Sequence, residues 1–461
     1  MCESQPINTP IQIKSKKSAA PDIPPELLAE LGVEDINQLM QNQGNFLTRL
    51  EGAQAAVESQ LEAMKEQFPN RKVGLVTFNN EVVLYLDGES LPMTVAGDKL
   101  TSFDTLLDIG KKASVSKPIS ESYAKLSDKL WSISESGATA LGPALTVSIG
   151  IASRKPGSSV IIVTDGRANI GVGSFENDDD LERIAKFYEN VGSFAKEHGV
   201  IVSVISIKGS DCRMEYLGSV ASATGGEVNI VDPLNLSQNF NSILKNPVVA
   251  TNVRLELVFS KYLTLKNDYI FDKDDCAEKK EEEIENRFIK NIGNATKDTE
   301  IGIIFAIKDQ IPPEVTSIPF QASVYYTALN KNKYLRVITQ EKVITSSEAL
   351  EDLNNIDVAV YSAVTGQVSA SLAQQGRYQE ALSNATNNHT FLQNVVHSEE
   401  QKVLLDQYSE QLEHTNNILQ NQISLDSRMG VHANHYQNRI DDTAVELYSL
   451  KKAQANACSI M

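Results

Sequence analysis

The chain shows two hydrophobic periodicities, and each predicts a different kind of element. Between residues 46 and 248, short apolar runs at 73–78, 160–163 and 200–207 alternate with stretches whose apolar residues recur every three or four positions. The runs are typical of strands buried on both faces of a parallel sheet, and the other spacing is typical of amphipathic helices. This alternation predicts a doubly wound α/β domain over residues 46–248.

The pattern changes after residue 248. Val253, Leu255 and Leu257 alternate with polar residues, and so do the apolar positions in 301–307 and 320–326, which predicts half-buried antiparallel strands and a β-sandwich over residues 249–345. The helical period returns at residue 346 and predicts a helical bundle over residues 346–450. The polar, proline-punctuated residues 1–45 are expected to form an insertion or linker, and residues 451–461 a flexible tail.

Candidate binding chemistry lies where a predicted strand ends. Asp165 and Gly166 directly follow the apolar run at 160–163, and Thr139 lies in an upstream loop, GATALGPAL, that opens onto an apolar helix. Open α/β sheets bind ligands at the carboxyl ends of their parallel strands. An aspartate followed by glycine is, taken alone, typical of a turn. The two loops together favour a binding site with Thr139 and Asp165 at its centre.

The stretches GATALGPAL and VIIVTDGRANIGVG resemble the second half of a von Willebrand factor A (vWA) domain. With TRLEGAQAAV, VGLVTFN and TGGEVNIVDPL, the resemblance extends to the Sec23/Sec24-like trunk and to the vWA region of circularly permuted Ras-type proteins, and it covers most of residues 46–345. It implies that Thr139 and Asp165 correspond to the threonine and aspartate of a metal-ion-dependent adhesion site. It also implies that a protein ligand binds at the carboxyl-edge loops.

One part of the family pattern is missing from this sequence. A vWA domain begins with a strand that ends in D-x-S-x-S, commonly D-x-S-G-S-M, and the resemblance suggests that Met1 aligns with that final methionine. Upstream coding sequence is then expected to supply the strand. Because Mg²⁺ prefers about six oxygen ligands, Thr139 and Asp165 alone leave the site incomplete. Two interpretations stay open: a Mg²⁺ site that needs the missing strand, and a scaffold that uses no metal, as in coat proteins.

Composition and the absence of catalytic and nucleotide-binding motifs exclude several classes of function. A net charge of −18 argues against binding nucleic acid, and four scattered cysteines without a CxxC pair argue against a disulfide framework or a structural zinc site. The sequence contains neither a GxxxxGK[ST] phosphate-binding loop nor a GxSxG nucleophile motif, so no enzyme activity is expected. Without a signal peptide or a long apolar run, we expect a cytoplasmic protein.

The last four residues, Cys458-Ser459-Ile460-Met461, match a C-a-a-X box of the farnesylated type. The sequence therefore predicts a non-catalytic vWA-type interaction scaffold that is tethered peripherally to a cytoplasmic membrane face. Two alternatives stay open. One is a fragment of a circularly permuted Ras-type GTPase whose GTP-binding part lies outside this chain. The other is a Sec23/Sec24-like coat or adaptor subunit.

The first testable prediction concerns Cys458. One prenyl chain gives weak, reversible membrane binding, so protein from eukaryotic cells should carry a farnesyl group and divide between membrane and cytosol. Cys458→Ser should abolish both properties, whereas Cys212→Ser should abolish neither. Intact-mass analysis is the measurement, and an unmodified chain that still ends in Ser459-Ile460-Met461 would rule out the anchor.

Overall fold

The structure is a computed structural model, and it describes most of the chain. The described residues are 4–6, 46–88, 91–135, 137–176, 181–208, 211–231, 243, 247–265, 286–297, 299–308, 311–344, 356–426 and 441–449. Most of the predicted insertion at 1–45 and the whole predicted tail at 451–461, with Cys458, lie outside these residues.

The α/β domain begins with a short antiparallel ribbon and a long helix. Strand β1 (Ser4–Pro6) pairs with β2 (Phe46–Thr48), and α1 (Arg49–Gln67) follows. A reciprocal capping box fixes the start of α1, because the Thr48 hydroxyl accepts from Glu51 N–H while the Glu51 carboxylate accepts from Thr48 N–H. The first residue of α1 is therefore held firmly in place.

The next strands form an antiparallel sheet. Strands β3 (Leu75–Phe78), β4 (Val82–Leu86) and β5 (Met93–Val95) pair in that order. A 3₁₀ turn (Gly97–Thr101) then precedes α2 (Phe103–Lys112). Helices α3 (Ile119–Trp131) and α4 (Leu141–Ala152) follow.

The second half of the domain is parallel. Strands β6 (Ser159–Thr164), β7 (Ile201–Ile207) and β8 (Val228–Val231) pair in that order, connected by α5 (Leu181–Glu197) and α6 (Met214–Thr224). All seven residues of β7 are buried, as expected of a central strand between two helical layers. This arrangement confirms the predicted α/β fold class.

A gap separates these two half-sheets. Among the described residues β3 pairs only with β4, and β6 only with β7. Both strands lie in one layer, because α1 packs on one side of each through Val57, and α4 packs on the other side of each. The sequence predicted β3 and β6 to be fully buried, but most of their residues are half-buried because no described strand lies between them.

The second half of the chain contains antiparallel sheets and helices. Strands β9 (Val248–Phe259), β11 (Arg287–Thr296), β13 (Ser317–Ala328) and β14 (Lys333–Val343) form a four-stranded sheet in the order β11-β9-β13-β14, and β10 (Leu263–Leu265) pairs with β12 (Phe305–Ile307). Helices α7 (Val358–Gln374), α8 (Tyr378–Val395) and α9 (Glu399–Asp426) follow, and residues 441–449 form a last helix, α10.

The inner face of the larger sheet is covered mainly by helices. Leu255 and Leu257 of β9 share one core with Leu372 of α7, with Leu419 of α9 and with Phe305 of β12. The second layer of the predicted sandwich therefore consists of a two-stranded sheet completed by helices in the described part of the chain. No described helix is long and apolar enough to cross a membrane.

The second prediction tests how tightly α2 packs on α4. The two helices meet at Gly110 and Gly150, and a methyl group added at Gly110 would lie 2.3 Å from the carbonyl oxygen of Val147. Gly110→Ala must push the helices apart, and we expect a loss of about 1–3 kcal/mol in the free energy of unfolding.

The matched control is Gly366 in α7, where an added methyl group meets nothing within 4 Å. Gly366→Ala should leave stability unchanged or raise it by up to about 1 kcal/mol, because alanine is the better helix former. Thermal and denaturant unfolding of both variants decides the matter, and equal stability of the two would contradict the close packing of α2 on α4.

Candidate functional site

The loop that carries Thr139 is bonded to the loop that follows β6. Thr139 N–H donates to the side-chain oxygen of Asn169 over 2.6 Å, and Asn169 N–H donates back to the Thr139 carbonyl over 3.1 Å. A methyl group added at Gly166 would lie 3.8 Å from the Thr139 hydroxyl oxygen. The structure thus brings the Thr139 hydroxyl beside the Asp165-Gly166 turn, as the sequence predicted.

The same loop is also bonded to the turn between β3 and β4. Ala138 N–H donates to the side-chain oxygen of Asn80 over 2.5 Å, and Ala140 N–H donates to the Asn79 carbonyl over 2.8 Å. Gly137 adopts a left-handed conformation with φ +76°, and a methyl group there would collide with the Asn80 amide. The Thr139 loop therefore bridges the two half-sheets at their common edge.

Asp165 faces a buried cation. The Arg49 guanidinium lies 4.0 Å from the Asp165 carboxylate, and these side chains are only 9% and 17% exposed. Arg49 also donates to the Lys208 carbonyl, which directly follows β7, over 3.2 Å. The guanidinium thus connects the carboxyl ends of β6 and β7 and supplies a positive charge beside the candidate site.

An open pocket of about 360 Å³ adjoins the Thr139 loop. Asn169, which is bonded to Thr139, contributes to its wall, together with Thr101, Ser174, Glu176 and Arg183. These side chains supply hydrogen-bond donors, acceptors and both signs of charge beside the apolar side chain of Ile170.

The described residues do not fit a Mg²⁺ ion. Mg²⁺ requires near-octahedral coordination by oxygen, and the loops offer one hydroxyl group, from Thr139, and one carboxylate, from Asp165. A cation in direct contact with Asp165 would also meet the Arg49 guanidinium. No group of three or more histidine, cysteine, aspartate or glutamate side chains is arranged for metal binding in the described ranges.

Sequence reasoning named Thr139 and Asp165 as candidate site residues, but it did not name the residues that position them. These residues act through contacts that are distant in sequence, so no local motif marks them. The contacts are Asn80 with Ala138, Asn169 with Thr139 and Arg49 with Asp165, and their separations are 58, 30 and 116 positions. The one signal was the placement of two asparagines directly after β3 and one asparagine in the loop after β6. Cys458, the predicted lipidation residue, lies outside the described part of the chain.

Comparison with known proteins agrees with this architecture, although no family model matches the chain. The chain is 31% identical over 345 residues to circularly permutated Ras protein 1 of Dictyostelium discoideum. The match includes 73% of this chain but only 39% of the relative, so the chain spans about two fifths of that protein's length.

The fold is also similar to that of a solved structure with low sequence identity. The human COPII-coat protein Sec24c superposes with a TM-score of 0.57 at 14% identity, over 88% of this chain and 56% of Sec24c. A von Willebrand factor type A protein from Catenulispora acidiphila gives a TM-score of 0.48 at 12% identity, over 86% and 85% of the two chains. The likeness to Sec24c concerns the fold alone.

The third prediction concerns metal affinity. With two protein oxygen ligands and a guanidinium nearby, we expect no Mg²⁺ affinity tighter than millimolar for residues 1–461. Isothermal titration calorimetry with MgCl₂ is the measurement. Micromolar binding that Asp165→Ala abolishes would contradict the prediction.

Proposed function

Since the chain combines a vWA-like α/β domain with a Sec23/Sec24-like trunk, we propose that it is a non-catalytic protein-interaction scaffold. Its docking surface would be the carboxyl edge of the α/β domain, formed by the loops of Thr139 and Asp165. The observation that carries the proposal is the bonding of the Thr139 loop to both half-sheets, through Asn80 on one side and Asn169 on the other. A loop held from two sides presents a rigid surface, which lowers the entropy cost of binding a partner.

We further propose that this docking requires no divalent cation in residues 1–461. The Arg49 guanidinium balances the Asp165 carboxylate, which is the electrostatic task that a metal ion performs in an adhesion site. A partner side chain would then bind by hydrogen bonds to the loops and by entering the open pocket. An upstream strand with D-x-S-x-S would change this balance, because it would add the missing oxygen ligands.

The predicted prenyl group on Cys458 complements this function. It would concentrate the scaffold at a cytoplasmic membrane face, with a bound partner brought to the same surface. One prenyl chain holds a protein there only transiently, so a membrane-bound partner would supply the second attachment.

Two alternatives draw on the comparisons. The match to 39% of circularly permutated Ras protein 1 favours a scaffold portion of a longer Ras-type GTPase, whose GTP-binding part lies outside this chain. Sequencing the 5′ end of the transcript separates this alternative, because an in-frame GTP-binding region would support it and a stop codon just upstream of Met1 would contradict it. The likeness to Sec24c favours a coat or adaptor subunit, which the identity of the partners would distinguish.

The fourth prediction tests the docking surface. A double variant, Thr139→Val with Asp165→Ala, should lower the affinity for a specific partner at least tenfold, since the central residues of an interface carry most of its binding energy. Partners are captured from cell extract with the wild-type chain, then purified and measured by titration. The affinity should be the same in Mg²⁺ and in EDTA.

The matched control is Thr390→Val with Asp128→Ala, which changes the same residue types at exposed positions of α8 and α3, outside the loops of the candidate site. This control should bind like the wild type. Equal affinity of the edge variant and the control for every purified partner would contradict the proposal, provided that both variants unfold at the wild-type temperature.

A further inference from the structure

Strand β14 is an exposed edge of the four-stranded sheet. It pairs with β13 along its whole length of eleven residues without a register shift, and no described strand pairs with its other edge. Three of its apolar side chains are largely exposed, Leu335 at 54%, Val337 at 50% and Val343 at 82%. A long, regular edge strand with exposed apolar side chains is a template for pairing with a strand of another chain.

The opposite edge of the sheet is covered by the α/β domain. The side chain of Asn294 in β11 donates to the carbonyl oxygens of Val200 and Thr224 over 3.1 Å and 3.3 Å. A methyl group added at Gly293 would lie 2.5 Å from the side chain of Lys196 in α5. Of the two edges of this sheet, β14 is therefore the one that is open in the described part of the chain.

Hydrogen bonds at both ends of β14 show which of its backbone groups point to the open edge. Ala328 N–H donates to the Asn332 carbonyl over 2.9 Å, and Ile344 N–H donates to the Thr316 carbonyl over 2.8 Å. Asn332 and Ile344 flank β14, so the even-numbered residues direct their backbone groups at β13. Because successive residues of a strand bond to opposite sides, the N–H and C=O groups of the odd-numbered residues point to the open edge.

The odd-numbered residues also place their side chains on the face of the sheet that is turned away from the core. Ala322 and Val324 of β13 pack against the core shared with β9, and they pair with the even-numbered residues Ile338 and Arg336. Side chains alternate between the two faces of a strand, so those of the odd-numbered residues lie on the outer face. All six are exposed: Lys333, Leu335, Val337, Thr339, Glu341 and Val343.

The order of these outer side chains is self-complementary. We propose that β14 pairs with β14 of a second copy of this chain, antiparallel and about a two-fold axis through Val337. In this register Val337 faces Val337 of the second copy, and Leu335 faces Thr339 of that copy. Lys333 faces Glu341 of the second copy, and the same pair recurs on the other side of the axis. Apolar and opposite-charge pairs directly across two strands stabilise their pairing.

Other two-fold registers of β14 match less well. An axis through Thr339 would place Arg336 opposite Lys342, and like charges directly opposite each other destabilise a strand pair. An axis through Ile338 would place Lys333 and Glu341 opposite apolar residues, so that neither charge is paired. An axis nearer to either end of the strand would leave about half of it unpaired. Charge complementarity therefore selects the axis through Val337.

Pairing in this way gives a closed dimer. Each pair of odd-numbered residues exchanges two N–H···O bonds, and two four-stranded sheets become one sheet of eight strands. Because β11 is covered by the α/β domain, no further edge of this sheet is open among the described strands, and association stops at two copies. One strand on each side forms a small interface, so we expect a reversible dimer that dissociates on dilution.

The fifth prediction is tested by sedimentation equilibrium of residues 1–461 over a range of concentrations. The wild type should show a reversible equilibrium between monomer and dimer. Val337→Lys places two like charges opposite each other on the axis, so it should raise the dissociation constant of the dimer at least tenfold. The matched control is Val403→Lys, at a valine of α9 that is 58% exposed, and it should keep the wild-type constant.

Two outcomes of this measurement would overturn the proposal. One is a wild type that stays monomeric at every concentration, and the other is an equal dissociation constant for the two lysine variants. Thermal unfolding of both variants confirms that each is folded. Since the measurement needs no partner protein and changes no residue of the carboxyl-edge loops, its failure is separate from failure of the docking function.

Disulfide formation tests the register. In Val337→Cys the two thiols face each other across the axis, where the Cα atoms of a bonded antiparallel pair lie about 5.5 Å apart, a separation that a disulfide can span. In Thr339→Cys the two thiols are four residues apart along the strands, about 13 Å, and cannot join. Mild oxidation should therefore crosslink the first variant above the wild-type background and leave the second at that background. Equal crosslinking of the two variants would contradict the register.

Discussion

The packing of α4 across one face of both half-sheets is the constraint on which the rest of the α/β domain depends. Leu145 and Ile149 of this helix lie in the core that contains Ile162 of β6, while Ala144 and Val147 lie in the core that contains Leu84 of β4. Nine of its twelve residues are buried, so the helix is surrounded by protein on almost every side. Each fully buried large aliphatic side chain contributes about 1.5–3 kcal/mol, so α4 stabilises the junction by several kcal/mol.

This packing also decides where the candidate site lies. The Thr139 loop immediately precedes α4, so the helix that joins the half-sheets also carries the loop that spans them. Bonds to Asn80 and Asn169 then fix the loop against both halves, and Arg49 fixes the Asp165 side from the start of α1. The loop is therefore held against both halves of the domain, and the proposed docking function depends on this rigidity.

Hydrophobic periodicity alone was enough to predict the helices and strands whose apolar residues recur at a regular spacing. The apolar runs at 160–163 and 200–207 appear as β6 and β7, and the helix predicted after the Thr139 loop is α4, which begins at Leu141. Periodicity does not report pairing, so it could not show that β3 and β6 each have one described neighbour and are only half-buried.

The same limit applies to the candidate site and to the contacts of Asp441. Thr139 and Asp165 follow a recognisable local pattern. Asp441, by contrast, accepts hydrogen bonds from the backbone amides of Cys212 and Met214, which lie 229 and 227 positions before it in the sequence. An aspartate at the start of a helix is ordinary in sequence, and only the fold shows that it caps a different helix.

The claim that α4 makes one structural unit of the two half-sheets is tested most directly by native-state hydrogen exchange in increasing denaturant. If α4 couples them, the slowest amides of β4 and of β7 should reach the same free energy of opening and the same dependence on denaturant. If β4 instead opens at a lower free energy while β7 stays protected, the half-sheets unfold separately. The Thr139 loop would then not be held from both sides, which would contradict its role as a rigid docking surface.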